Sequence, residues 1–216
     1  MVMSTQHGET RRQRNPRGAG TRLREEIVSA VYGLLDDGET LSLRSIARRA
    51  GVSAPAIYPH FANVDAIMLA VAESAFDELS ASLRASRDSV TGPGAQVHAI
   101  ANAYIAFAEQ RPQLYRVMFG GVWNAKEALA ALVDETTRVR AIGMETFAIL
   151  QDAVELCVSA GVSRSDNPRR DATALWVALH GVADQSSAAP LFPWPDSLVD
   201  TLVDSLAQLN ADATRG

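Results

Sequence analysis

The chain has 216 residues, 47% hydrophobic and 21% charged, which is the balance of an ordinary globular protein long enough to bury a core. No apolar run approaches the ~20 residues of a membrane-spanning helix, and the single cysteine excludes an internal disulfide or a cysteine-based metal cluster. The net charge of −5 is unevenly placed: residues 1–63 hold nine arginines against six acidic residues, a net of +3, and the remainder carries −8. A basic head on an acidic body suits a protein that meets phosphates at one end only.

Residues 1–20, polar and rich in arginine, lack the apolar segment of a secretory signal and are expected to form a disordered basic arm. With no membrane segment, a cytoplasmic, nucleoid-associated protein is expected. From there the apolar spacing is helical throughout and no period-2 stretch supports a strand. A first helix is predicted from Thr21, as N-cap, to Asp37, with Leu23, Ile27, Val31 and Leu34 on one face and Gly38 as its stop. Ser42 caps a short second helix, with Ser45 standing where a capping box would place glutamate, and Gly51 ends it. Ser53 opens a third helix with Pro55 in its first turn. Asn63 caps a long fourth, with Ile67, Val71, Ala75, Leu79 and Leu83 in a stripe reaching about Asp88.

After Thr91-Gly92-Pro93-Gly94 a fifth helix carries Val97, Ile100, Tyr104 and Phe107 to Arg111-Pro112, and Leu114–Phe119 forms a short sixth. A long helix is predicted from about Ala125 to Ala160. Asn167-Pro168 then starts another with Leu175, Trp176, Leu179 and Val182, and a proline-rich loop leads to a last helix over about 196–210. The fold class expected is all-α with about nine helices.

The segment SLRSIARRAGVSAPAIYPHF at Ser42–Phe61 carries the sharpest signal. Two short helices joined by a glycine turn, with small Ala47 at the crossing and Ile46, Val52 and Ile57 between them, describe a helix-turn-helix. Over Ile46–Met68, IARRAGVSAPAIYPHFANVDAIM resembles the DNA-binding domain of the TetR family of transcriptional regulators, the likeness covering about residues 22–70. The resemblance implies that Ala54, Pro55 and Ala56 lie nearest base edges in the major groove, reading thymine methyls and shape. It implies phosphate contacts from Tyr58, His60, Ser42, Arg44 and Ser53, and a phosphate or minor-groove contact from Arg22, with Arg14 and Arg17 on the arm. Two positions depart from the family pattern: Val64 stands where lysine is usual, removing a phosphate contact, and Pro59 stiffens the end of the recognition helix.

In the body, YIAFAEQRPQLYRVMF at 104–119 and WVALHG at 176–181 resemble a TetR C-terminal subclass named for its Trp-His-Gly element. Trp176 and His180 are four apart and share a helix face; Gly181 inside a helix costs about 1 kcal/mol against alanine. A pocket lined by Tyr104, Phe107, Tyr115, Met118, Phe119, Trp123, Phe147, Gln151, Trp176 and His180 would take an apolar or aromatic effector, although the same residues equally suit a packed core. Two-fold operators call for two-fold proteins, and Trp176, Leu179, Val182, Leu198, Leu202 and Leu206 are the candidate homodimer interface, or alternatively faces buried within one protomer.

No catalytic constellation, metal-ligand spacing or cofactor motif is present among the four histidines and one cysteine, so neither an enzyme nor a metal or cofactor is expected. The expected organisation is the arm over 1–20, an operator-binding head over 21–66 and a sensing and dimerisation body over 67–216. The expected function is a repressor on a palindromic double-stranded operator, its two heads ~34–36 Å apart, released when an effector shifts the fourth helix. The alternatives are a transcriptional activator of the same fold and a helical interaction protein whose helix-turn-helix no longer reads DNA.

Overall fold

The computed structural model describes residues 19–119 and 136–210. Nearly all of the basic arm, Trp123 and the beginning of the helix expected from Ala125 lie outside them. Among the described residues the chain forms nine helices and no strand: α1 Ala19–Asp36, α2 Leu43–Arg49, α3 Ala54–Ile57, α4 Val64–Asp88, α5 Pro93–Gln110, α6 Pro112–Phe119, α7 Thr136–Ser159, α8 Pro168–Ala188 and α9 Leu198–Leu206. The protein is all-α, with an N-terminal helix-turn-helix and a C-terminal helical body.

The helix boundaries have local causes. Helix α1 begins at Ala19, so Thr21 sits inside its first turn and is not the N-cap. Ser42 accepts from the Ser45 backbone N–H (3.1 Å) while Ser45 Oγ accepts from the Ser42 N–H (2.9 Å), so a serine closes the capping box in place of glutamate. Asn63 and Asn167 cap α4 and α8 through their side-chain oxygens. Helix α2 ends where Gly51 N–H bonds to Arg48 C=O (3.2 Å) and Val52 N–H to Ala47 C=O (3.0 Å). That pairing needs a left-handed residue between the two bonds, and Gly51 supplies it with φ of +70°.

Helix α3 stops after four residues. Pro59 has no N–H to give to Pro55, and the chain continues as a turn closed by His60 N–H and Phe61 N–H on the Ile57 carbonyl (2.9 and 3.0 Å). That turn drops Phe61 into the core.

Helix α4 holds the molecule together. It packs on α1 at one end and on α5, α6 and α7 along its length, and its predicted stripe of Ile67, Val71, Ala75, Leu79 and Leu83 is fully buried. The buried apolar residues of head and body form one cluster, running from Ile27 to Leu209. Helix α5 packs against α7, α8 and α9, and α8 against α7 and α9. Cys157 is fully buried, and burial pushes its thiol up to about 11.

Several polar groups inside this core are paired. Ser80 Oγ and Thr146 Oγ1 lie 2.7 Å apart, both buried, joining α4 to α7. Asp171 accepts from Ser165 Oγ (2.6 Å), Arg170 Nε (2.8 Å) and Gln208 Nε2 (2.7 Å), tying the start of α8 to the end of α9. The Arg170 guanidinium, then the hydroxyl and amide, hold that carboxyl below its ordinary range against the opposing effect of burial.

Because an orphaned buried hydroxyl forfeits its whole solvation, Ser80→Ala should cost about 1–3 kcal/mol. Adding Thr146→Val should recover most of that loss. Urea denaturation of the two variants beside wild type measures both effects; equal destabilisation by single and double variants would contradict the account.

Candidate functional site

The head projects a short face beyond its core. Ile46 and Ile57, both fully buried, pin α2 and α3 together over α1. This leaves Pro55 exposed, Ala54 and Ala56 half-buried and Tyr58 58% exposed at the surface. An aromatic side chain that exposed beside three small residues is available to a partner and contributes little to the core. Ser53 is exposed and His60 half-buried on the same segment.

The arginines of the head differ in what they are free to do. Arg24 lies 4.3 Å over the Phe61 ring and donates to the His60 carbonyl (3.2 Å), bracing the end of the recognition segment from α1. Arg49 pairs with Asp37 and Glu39, and Arg48 with Glu39, clamping the α1–α2 turn. Arg22 pairs with Glu26 at 2.8 Å, both exposed, a contact cheap enough to exchange for a phosphate. Arg44 is exposed and forms no ion pair among the described residues. The hydroxyl of Ser42 is occupied by the capping box. The bracing role of Arg24 was not legible in the sequence, since nothing local links it to residues 36 positions away.

In the body, six aromatic rings gather where α5, α6, α7 and α8 meet. Tyr104 lies 5.1 Å from Trp176 and 5.3 Å from His180, between ring centroids; Phe119 stands edge-on to His180 at 4.4 Å; Phe147 stands edge-on to Trp176 at 5.8 Å. Tyr104 donates to the Tyr115 hydroxyl at 3.3 Å, and burial holds both phenols protonated. His180 Nδ1 lies 2.8 Å from the Trp176 carbonyl. A carbonyl only accepts, so Nδ1 carries the proton and Nε2 of the neutral ring is an acceptor. Burial pushes the pKa of this imidazole down, opposed by the Trp176 carbonyl and Asp184.

Two cavities flank this stack and share Phe119. One of about 270 Å³ lies between α6 and α8, with Tyr115, Arg116, Ala183 and Asp184 on its walls. The other, about 380 Å³, is lined by Phe76, Phe119, Gly143, Met144, Phe147, Arg169, Thr173 and Trp176. Of the predicted pocket residues, Tyr115, Phe119, Phe147 and Trp176 therefore reach a cavity. Tyr104, Phe107 and Met118 pack in the core instead, and Gln151 pairs with Glu155 on α7 (2.8 Å). His180 belongs to the stack between the cavities. Phe76, Gly143, Met144, Arg169 and Thr173 were not foreseen. The one available hint was Arg169 itself, a cation placed in the first turn of a helix, where the dipole disfavours it.

A third cavity, about 450 Å³ between α1 and α4, is lined mostly by polar and charged groups including Glu25, Glu73 and Asp77. The described residues contain no cluster of three metal-ligating side chains and no helix long and apolar enough to cross a membrane.

Of the residues expected at a dimer face, Leu179 is fully buried in its own protomer, on a helix packed against α5, α7 and α9. Trp176, Val182, Leu202 and Leu206 are half-buried against the same core, and Leu198 is half-buried at the start of α9. The outward side of α8 carries Val177, 64% exposed, and Gly181, where an added Cβ would meet nothing within 4 Å.

A helix-turn-helix with an exposed recognition segment, joined through one long helix to an all-helical body, is the architecture of a class of bacterial transcription regulators. Residues 39–71 match the family model described as bacterial regulatory proteins, tetR family, and residues 97–208 match that of the tetracyclin repressor-like C-terminal domain. The chain belongs to the TetR family. These matches name the family and not the Trp-His-Gly subclass that residues 176–181 resemble.

The transcriptional activator FasR of Mycolicibacterium smegmatis is 30% identical over 139 residues, 60% of this chain and 64% of that protein. The chain thus spans just under two thirds of the curated relatives it matches. Among solved structures, a protein with unknown function from Rhodococcus sp. RHA1 is similar with a TM-score of 0.68 and 25% identity, over 92% of this chain and 95% of that one. The regulator FadR from Bacillus subtilis, solved in complex with stearoyl-CoA, shares the fold with a TM-score of 0.68 at 12% identity, over 85% and 97%.

The neutral His180 also sets a pH dependence. Its folded pKa lies below the unfolded one, so the unfolded chain takes up the proton first. Stability should fall as pH drops through about 6.5, the ordinary histidine value. His180→Phe keeps the ring packing and should flatten the loss in melting temperature between pH 7.5 and 5.5; an unchanged slope in that variant would contradict the assignment.

Proposed function

We propose that this protein is a repressor that binds a palindromic double-stranded operator as a homodimer and releases it when an apolar or aromatic small molecule enters the body. The observation that carries the reading is the segment Ala54–Tyr58, whose Pro55 and Tyr58 stand exposed above the buried Ile46 and Ile57, within a family of DNA-binding regulators. Residues 21–66 act as the operator head and 67–216 as the sensing and dimerisation body. Ala54, Pro55 and Ala56 read the major groove, while Tyr58, His60, Ser53, Arg44 and Arg22 take phosphates. The protein works in the cytoplasm on the nucleoid and is not an enzyme.

Dimerisation uses the outward side of α8. A helical glycine costs about 1 kcal/mol, and among the described residues nothing lies within 4 Å of a Cβ added at Gly181; a second copy of α8 resting there gives the residue a purpose. Release follows from the path of α4. An effector wedged beside Phe76 on α4 moves the same helix whose other end packs Ile67 and Val71 against the head, and a ligand that differs in affinity between the two arrangements shifts the operator equilibrium by that difference. Activation in place of repression is the second reading, favoured by the similarity to the activator FasR.

Fluorescence anisotropy with a labelled duplex from upstream of the protein's own gene tests the core of this. Binding should weaken steeply as salt rises. Arg44→Ala should weaken it alike on all sequences and lower the salt slope by about one. Salt-insensitive or absent binding would leave the chain a helical interaction protein, as Val64 and Pro59 would then suggest. A reporter carrying that duplex separates repression from activation.

A further inference from the structure

Among the described residues lining the cavity of about 380 Å³ beside the aromatic stack, Arg169 is the single ionised side chain and no carboxylate contributes. Its neighbour shows how unusual that is. Arg170 is neutralised twice, by Asp166 at 2.7 Å and Asp171 at 2.8 Å, whereas Arg169 forms no ion pair among the described residues. Both stand in the first turn of the 21-residue α8, where the helix dipole opposes a cation. For Arg170 the two aspartates offset that cost; for Arg169 nothing among the described residues does. Thr173, also on the wall, already donates its hydroxyl to the Arg169 carbonyl (2.7 Å), so the guanidinium is the cavity's principal donor.

The rest of the wall is apolar and aromatic. Phe76 stands edge-on to Phe119 at 5.5 Å and Phe147 edge-on to Trp176 at 5.8 Å, giving flat surfaces with no hydrogen-bonding demand apart from the indole N–H. The volume lies toward the small end of the range of about 300–1,000 Å³ for small-molecule sites. An apolar chamber with one uncompensated fork-shaped cation at its rim is complementary to a compact molecule that is anionic at one end and hydrocarbon at the other, because guanidinium binds carboxylate or phosphate through paired N–H donors.

We propose that this cavity binds an anionic amphiphile, its carboxylate or phosphate head on Arg169 and its apolar body against Phe76, Phe147 and Trp176. The proposal rests on the reading of the body as a sensor of apolar molecules and adds a requirement for negative charge.

Calorimetric titration of the full chain at pH 7.5 with octanoate, octyl phosphate and 1-octanol, each below its aggregation limit, tests it. At least one anion should bind wild type about tenfold or more tightly than the alcohol, and the comparison of the two anions tells carboxylate from phosphate. Arg169→Gln should bring the anion's Kd up to that of the alcohol while leaving the alcohol's unchanged, and Arg169→Lys should restore part of the preference. Arg169 is exposed and unpaired, so its variants should melt with wild type, which a thermal scan confirms. Equal binding of alcohol and anions by wild type, or an anion Kd indifferent to Arg169→Gln, overturns the proposal and leaves the apolar sensor standing. If none of the three binds, both fall.

Discussion

Every part of the molecule depends on α4 satisfying two cores at once. Its head end buries Ile67, Met68 and Val71 beside α1, and its body end buries Ala75, Leu79 and Leu83 beneath α5 and α7. A fully buried aliphatic side chain contributes roughly 1.5–3 kcal/mol. Detaching either end of the helix therefore costs more than most ligands can supply, and the low-cost motion left to α4 is as a unit. The Ser80–Thr146 hydrogen bond adds a directional constraint, since it holds only when α4 and α7 keep one register.

In the proposed function it is the aromatic assembly at the centre of the body that turns that constraint into a means of sensing. Its rings meet mostly edge-on or tilted, at 4.4 to 6.5 Å between centroids, so each ring fixes the orientation of the next. Phe119 belongs to the stack, to both flanking cavities and, through its contact with Phe76, to α4. A molecule entering on either side must displace or brace that ring. His180, with its tautomer set by the Trp176 carbonyl, is the one ring in the stack that presents an unprotonated nitrogen.

Much of this was readable from residues alone, for reasons that can be named. The α4 stripe, the asparagine caps and the stop at Gly51 are local: each depends on spacing within a few residues, and each stands where the spacing puts it. The serine capping box appeared as a departure from the usual glutamate and functions all the same, because Ser45 Oγ reaches the Ser42 N–H. What failed depends on distance in sequence. Aromatic residues on α5 could not be sorted into core and cavity, because Tyr104 and Phe107 differ from Trp176 only in what other helices bring beside them. Leu179 shares the period of an outward seam and yet faces inward, since which side of α8 is covered is decided by α5, α7 and α9. Thr21 looked like a cap because a preceding turn of helix, Ala19 and Gly20, carries no apolar signal.

Cys157 gives the molecule a built-in gauge of its own breathing. It is the sole sulfhydryl in 216 residues, fully enclosed near the end of α7, with its proton held more tightly than that of a free thiol. Only the thiolate reacts, so a soluble alkylating reagent can label this chain only during the instants when α7 parts from its neighbours. The labelling rate thus counts openings of the body at a single atom, without any engineered probe, and an occupant that braces the aromatic stack would slow that count.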